Sequence, residues 1–387
     1  MFSPAHPLWL VGFRPFFALA CLAGLSLPIA WILIFKGALP APAQTFSPVQ
    51  WHAHEMFFGF GWAVLGGFLL TSTKNWVGVR GYHGATLMFL AAAWIFERIG
   101  MSFGGVWPRP LFLLSNNLFL CSIVVLLLAT LLLNRDKDSY RRDNVFFLIV
   151  LPLFWVAKTL LLSPEHFNLG WSMTLGIFRV AFLVMLERTL SQFMRSAFQV
   201  DILRRPPLDL AIKALAIILV FSAFLPTLLA HGLELLLAAL LIGRFIFWHP
   251  RKGFSRLDIG IMYLGYLAIV TQLLIEALPP PGATGWVGTV AVHVFTFGTM
   301  GLVIPAMIIR IANGHTGRKV IFGRLEKTVL WIMVAAFVLR LVGPQLAPEA
   351  YLRWLDLAAA CWFAAFGLLA WRYIPQLAQP RVDGREH

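Results

Sequence analysis

Residues 51–72 read WHAHEMFFGFGWAVLGGFLLTS. From Met56 onward the stretch carries no charged side chain. It matches the roughly 20 residues a helix needs to cross the hydrocarbon core of a bilayer. Two histidines and a glutamate stand at its mouth. Ionisable groups at membrane depth are costly, so they mark a site by default. This one segment therefore predicts both a spanning helix and polar chemistry at one end of it.

Working outward, apolar runs bounded by turn residues and charges recur along all 387 residues. The predicted spans are Pro15–Phe35, Trp51–Ser72, His83–Ile99, Pro110–Leu133, Val145–Leu162 and Gly170–Met194. They continue as Leu208–Ala230, Glu234–Phe247, Leu257–Leu278, Gly285–Ile309, Lys327–Val342 and Tyr351–Tyr373. The expected fold is all-α: a polytopic integral membrane protein of about twelve helices, one transmembrane domain over residues 1–387. The composition agrees, with 59% hydrophobic residues and 12% charged. Soluble domains carry about 25% charged residues. A soluble enzyme, a disordered chain and a disulfide-stapled module are thereby excluded.

The net charge of +14 does not point to nucleic acid, because no basic patch stands apart from the apolar runs. With the N-terminus placed in the cytoplasm, 22 Lys and Arg fall in inner segments and four in outer ones. That bias predicts an N-in, C-in topology. Cys21, Cys121 and Cys361 all lie in apolar runs without CxxC spacing, so a disulfide framework or iron–sulfur cluster is not expected. The N-terminus runs into GFRPFF without the basic n-region of a cleavable signal. Walker A, GxSxG and HExxH motifs are absent, which argues against an ATPase, a hydrolase and a zinc protease.

Under this topology the in-membrane polar residues gather in the outer half: His52, His54, Glu55, Asn116, Asn117, Lys158, Arg179, Glu276, His293 and Arg340. Snorkelling accounts for Arg340 and Glu276 at span ends, but not for the deeper Arg179 and His293. His52 and His54 are two residues apart, about 200° around a helix, so a regular helix cannot aim both at one centre. His52, Glu55 and Met56 share a face. His54-Glu-Met-Phe-Phe58-Gly59 and His293-Val-Phe-Thr-Phe297-Gly298 repeat the pattern H-x3-F-G, both running from outside to inside. Two such histidines on facing helices could hold a planar cofactor. Haem iron takes axial imidazole, and copper takes imidazole with methionine as a soft ligand. For the Met300 and Met307 stripe, ordinary packing is the simpler reading.

Five stretches together resemble the NnrS family: GFRPFF (12–17), WHAHEMFFGF (51–60), GGFLLTSTKNWVG (66–78), the span beginning at His293, and ANGHTGR (312–318). Order and spacing agree over most of the chain. The resemblance implies a bacterial inner-membrane protein of about twelve helices, bearing haem b and possibly copper, tied to the nitrosative-stress response and acting on nitric oxide. It carries over to Arg14, His52, His54, Glu55, Asn75, Trp76, His293, His315, Gly317 and Arg318. It implies His54 and His293 as haem ligands, with Arg14 and Arg179 in the cofactor-binding set and Lys158 or Arg340 as further partners for propionates. His52, with Glu55 or Met56, becomes the copper candidate. His315, 22 residues beyond His293, would belong to a second, cytoplasmic-side metal site or to a structural turn. The chain departs from the family in Leu186–Phe198, LERTLSQFMRSAF, where Glu187 replaces a glycine and a proline is missing. No electron-donor docking motif is visible, which leaves binding and turnover both open. The alternative is a carrier for copper or haem. A carrier of two repeated halves should pair span two with span eight, but the only echo pairs spans two and ten.

Overall fold

The computed structural model describes residues 3–42, 45–202, 204–278 and 285–385, apart from the side chains of 142 and 143. Helix takes up 81% of the chain, and no strand occurs among the described residues. Among the described residues, twelve helices are long and apolar enough to cross a membrane. They are α1 (Phe13–Phe35), α2 (Pro48–Val77), α3 (Ala85–Val106), α4 (Arg109–Leu133), α5 (Asn144–Leu162) and α6 (Phe167–Phe198). The series continues with α7 (Pro206–Phe224), α8 (Thr227–Ile246), α9 (Leu257–Ala277), α10 (Val290–His315), α11 (Arg324–Leu346) and α12 (Pro348–Leu377). The protein is an all-α polytopic membrane protein.

Two boundaries differ instructively from the sequence expectation. The apolar pattern runs unbroken through Leu208–Ala230, yet α7 stops at Phe224 and α8 begins at Thr227. Pro226 sits at the start of α8 and Leu225 is extended (ψ 149°). A residue before proline is pushed out of the helical region, and proline itself suits a helix start. At the other end of the chain, α10 runs to His315 rather than Ile309 and tolerates Pro305 within it. Gly317, at φ +78°, supplies the left-handed residue that ends it.

Burial sorts the helices. Between 72% and 83% of the spanning windows of α2, α6, α9 and α10 are buried, against 33–50% for the other eight. Helices that face lipid need only be apolar; those enclosed by protein can carry polar groups. The four enclosed helices bear His54, Arg179, Gln272 and His293.

Two of the four share a local irregularity. α2 starts in a capping box, with the Ser47 hydroxyl accepting from the Gln50 amide and the Gln50 side chain accepting from Ser47, and with Pro48 at the first turn. It is α-helical to His54, then π-helical over Glu55–Gly61. α10 is α-helical over Val290–His293, then π-helical over Val294–Met300. In both, a seven-residue π segment begins at the residue after the histidine of H-x3-F-G. Such segments are rare and cluster at functional sites.

The chain forms two compact units. Unit 1 comprises Met1–Gly170, Ile308–Ile321 and Phe366–His387; unit 2 comprises Trp171–Met307 and Phe322–Ala365. In unit 1, α1 crosses α2 at a close glycine contact. A Cβ at Gly12 would stand 2.6 Å from the Leu70 Cβ, and one at Gly67 would stand 2.8 Å from the Phe16 Cβ. The Thr71 hydroxyl accepts from the Phe13 amide at 2.8 Å, satisfying a donor at the start of α1. In unit 2, α9 lies along α8 and α10. Thr299 of α10 donates its hydroxyl to the Gly265 carbonyl of α9 at 2.9 Å.

Candidate functional site

In unit 1 the π segment delivers His54 and Glu55 into a buried charged cluster. His54 is fully buried, and both ring nitrogens are engaged. Its Nδ1 lies 3.1 Å from Glu55 Oε1; its Nε2 lies 3.2 Å from Asn116 Nδ2 and 3.4 Å from Glu97 Oε1. Lys158 pairs with Glu97 and also donates to the Asn116 carbonyl. Arg98 bridges the two carboxylates, 3.1 Å from Glu55 Oε2 and 3.1 Å from Glu97 Oε2. Four helices, α2 to α5, contribute. The charges balance, two carboxylates against Lys158 and Arg98, as a buried network requires. The heavy-atom positions suit two proton states of His54. In the neutral ring, Nδ1–H donates to Glu55 and Nε2 accepts from the Asn116 amide. In the charged ring, Nε2–H donates to Glu97.

Around that cluster the backbone is tightly used. Trp94 donates Nε1–H to the Gly59 carbonyl at 2.9 Å, filling an acceptor inside the π segment. The Arg98 guanidinium lies 5.4 Å from the Trp94 ring centroid. A Cβ at Gly59 would occupy the Arg98 guanidinium position.

His52 parts from His54, as their spacing demands. Its ring stacks on Trp31 at 4.2 Å and an interplanar angle of 10°. Met56 is half-buried on the π segment. No group of three or more His, Cys, Asp or Glu is placed to hold a metal ion among the described residues.

His315 and Arg14 lie at the opposite end of unit 1, where three of the sequence motifs meet. Arg14 is fully buried and donates from Nη1 to the Leu377 and Gln379 carbonyls at 2.8 and 2.6 Å, closing the end of α12. The His315 ring packs 5.4 Å from Phe13. Arg381 Nη1 donates to the His315 carbonyl at 3.0 Å, and the Val382 amide to the Thr316 carbonyl at 3.1 Å. Arg318 bonds Thr316 Oγ1 and Gln379 Oε1, each at 2.9 Å. Burial and nearby Arg372 lower the Arg318 guanidinium from its ordinary value. Arg14 and Arg381 satisfy carbonyls at helix C-termini, where the macrodipole favours positive charge.

In unit 2 His293 is half-buried, with a different set of neighbours. Nδ1 lies 2.7 Å from the Thr289 carbonyl and 2.9 Å from its hydroxyl. Arg340 Nη2 approaches the ring at 3.2 Å from Nδ1 and 3.4 Å from Nε2, and its guanidinium lies 5.8 Å from the Tyr351 centroid. The Thr289 carbonyl can only accept, so it engages the Nδ1–H tautomer, in which Nε2 accepts from Arg340 Nη2 at 3.4 Å. Arg340 is buried rather than snorkelling.

Arg179 of α6 is buried and reaches α9. Its Nη1 donates to Gln272 Oε1 and Glu276 Oε2, each at 3.2 Å. Glu234 of α8 lies within the field of both Glu276 and Arg179.

A second network occupies the other end of unit 2. Glu187 accepts from Arg204, from Lys213 at 3.0 Å and from Arg244 at 3.2 Å. Asp209 lies 3.5 Å from both Arg204 and Arg244. Arg244 also donates to Tyr266 and lies 4.8 Å from the Trp248 centroid. The sequence reading singled out Glu187 as a departure from the family pattern. The structure gives it three cationic partners.

Glu97, Asp209 and Glu234 are the residues that sequence reasoning missed. Each is a lone carboxyl inside an apolar run, and that burial was the available signal. Lys158 lies 61 positions from Glu97 and Arg244 lies 35 from Asp209, where no short motif reaches them.

The NnrS family profile, described as NnrS protein, matches residues 7–381. The chain belongs to the NnrS family. None of the curated proteins compared with it matches. NnrS membership makes this a membrane protein of the nitric oxide response in general. The match runs through both units and covers the His54, His293, Arg179 and Glu187 clusters.

Proposed function

We propose that this NnrS protein holds haem through His293 and binds nitric oxide there, in the inner membrane of a bacterium. One observation carries the reading: the His293 Nδ1–H is held by the Thr289 carbonyl at 2.7 Å. Metal-ligating histidines characteristically donate their other ring N–H to a carbonyl or carboxylate, which fixes the tautomer and aims the lone pair. Arg340, buried beside the ring, suits a carboxylate such as a haem propionate. The π segment starting at Val294 sets the ring's direction relative to the rest of α10. When bound, haem supplies an iron centre with affinity for nitric oxide. The ligand is small and apolar, so the bilayer is no barrier to it.

His54 fits a different task. It is fully buried with a carboxylate beside each ring nitrogen, so its role is to hold or pass a proton between Glu55 and Glu97. Copper forms no part of this reading.

The test is an absorption spectrum of the purified full chain, oxidised, reduced and exposed to nitric oxide, with iron measured on the same sample. A stoichiometric Soret band that shifts with nitric oxide and is lost in a folded His293→Ala variant supports the reading. A colourless, iron-free protein overturns it.

A further inference from the structure

The Arg179 site contains a carboxyl that the haem reading leaves unused. Glu234 is 6% exposed and lies seven residues into α8, about 10 Å along the helix from its start. Its Oε2 is buried and makes no hydrogen bond to any described residue. No cation stands within ion-pair distance of it among the described residues, although Arg179 is nearby and is committed to Gln272 and Glu276. Two further buried polar atoms in this cluster, Arg179 Nε and Gln272 Nε2, also lack a hydrogen-bonding partner among the described residues. A lone ionised carboxylate at such a depth is expensive, and proteins ordinarily meet that expense by neutralising the group. Orphaned polar atoms packed together are the usual setting for buried water.

We propose that Glu234 is a proton-carrying carboxyl that exchanges with the aqueous phase through Glu276. The geometry supplies both parts of the route. Glu276 is next to the last residue of α9, with its side chain 24% exposed, and is anchored by Arg179. α8 packs along α9, and Glu234 is buried within electrostatic reach of Glu276 and Arg179. A proton arriving from water protonates Glu276, passes to the Glu234 carboxylate and leaves Glu276 ionised against Arg179; no electron moves. The charged and titratable groups around Glu234 are Glu276 on α9, Arg179 on α6 and His231 one turn earlier on α8. α7 is the other neighbour of α8, and its Asp209 and Lys213 lie near its far end. The inference does not depend on haem.

Infrared spectroscopy of the full chain reconstituted in lipid tests it without any metal readout. The expected result is a carboxylic-acid C=O band at neutral pH that disappears in Glu234→Gln. The band should shift on transfer to D2O, and more slowly in Glu276→Gln. A C=O band that survives intact in Glu234→Gln, or the absence of any such band, overturns the proposal. A D2O shift that is equally fast in Glu276→Gln removes Glu276 from the route. Should Glu234→Gln fail to fold, Glu234→Asp serves instead: the band must move in frequency, and an unmoved band overturns the assignment.

Discussion

His54 and His293 stand at the same point of the same local structure. Each ends a short α-helical stretch, is followed at once by seven π-helical residues, and is trailed by phenylalanine and glycine at fixed spacing. Their surroundings differ. His54 is sealed between two carboxylates and an amide, in a cluster that includes a buried lysine. His293 is half-buried, tied to one carbonyl and faced by one guanidinium. The shared backbone device therefore sets only where an imidazole is presented. The neighbours decide what it can do: a carboxylate beside each nitrogen suits a proton, whereas a carbonyl on Nδ1 and a guanidinium able to serve a propionate suit a haem ligand.

The sharpest way to break this comparison is to remove each ring in turn. His293→Ala is expected to lose essentially all bound haem, and His54→Ala to keep it, as read from the Soret band and iron content of folded protein. Equal loss in both variants would restore a two-histidine ligand set and end the division of roles.

The next largest effect lies in the charge network that distinguishes unit 1. Removing one partner of a buried ion pair strands the other, typically at a cost of about 3–5 kcal/mol. Glu97→Gln should destabilise on that scale, because Lys158, Arg98 and His54 all face it. Lys158→Met should do the same. The double variant should cost clearly less than the sum, since no charge is then stranded. In unit 2, Glu276→Gln should cost less than Glu97→Gln, because the Glu276 side chain is 24% exposed and the buried Arg179 keeps its hydrogen bond to Gln272. Thermal unfolding in detergent checks all four, and similar losses in the two units would refute the contrast.

The glycines sharpen the comparison further. A methyl at Gly298 would sit 2.5 Å from the Ala268 Cβ and 2.7 Å from the Phe337 ring, both on packed helices. Gly298→Ala should cost about 1–3 kcal/mol through overpacking. At Gly59 the methyl meets the mobile end of Arg98 instead. Gly59→Ala should therefore act by displacing Arg98, and its effect should shrink when Arg98→Gln is already present.

The sequence made the twelve spans legible because crossing a bilayer demands long apolar runs, and that demand acts locally. It also separated His52 from His54, since helix geometry alone forbids a common centre. Where one run joined another without a polar break, as at Leu225 and Pro226, hydropathy had nothing to register. The polar clusters were legible only as a tendency to gather in one half. That Lys158 would meet Glu97, or that Arg14 would close the end of α12, depends on which helices touch. Pairing of that kind is a property of the tertiary fold and leaves no periodicity in the chain.

The smallest expected effect tests whether exposed charge matters here at all. The C-terminal segment folds over the Gly317 turn, with the Asp383 carboxylate against Gly317 and paired to Arg381 at 2.5 to 2.8 Å. The hydrogen bond from Arg381 holds the Asp383 carboxyl well below the ordinary range and raises the Arg381 guanidinium. A carboxyl depressed on folding contributes stability that is present above its unfolded value and disappears as pH falls through its folded value. Any contribution from this pair should therefore be constant from neutral pH down to the ordinary carboxylate range and decline only below it. Asp383 is exposed to solvent, where salt and water screen the pair and the median exposed ion pair contributes almost nothing. Asp383→Asn should leave the midpoint of thermal unfolding at neutral pH unchanged within error, whereas Arg14→Gln, which strips the buried donor from the Leu377 and Gln379 carbonyls, should lower it measurably. If the two variants lose stability equally, the end of α12 is held by the exposed pair as much as by the buried arginine, and burial is not what separates structural from incidental charge in this protein.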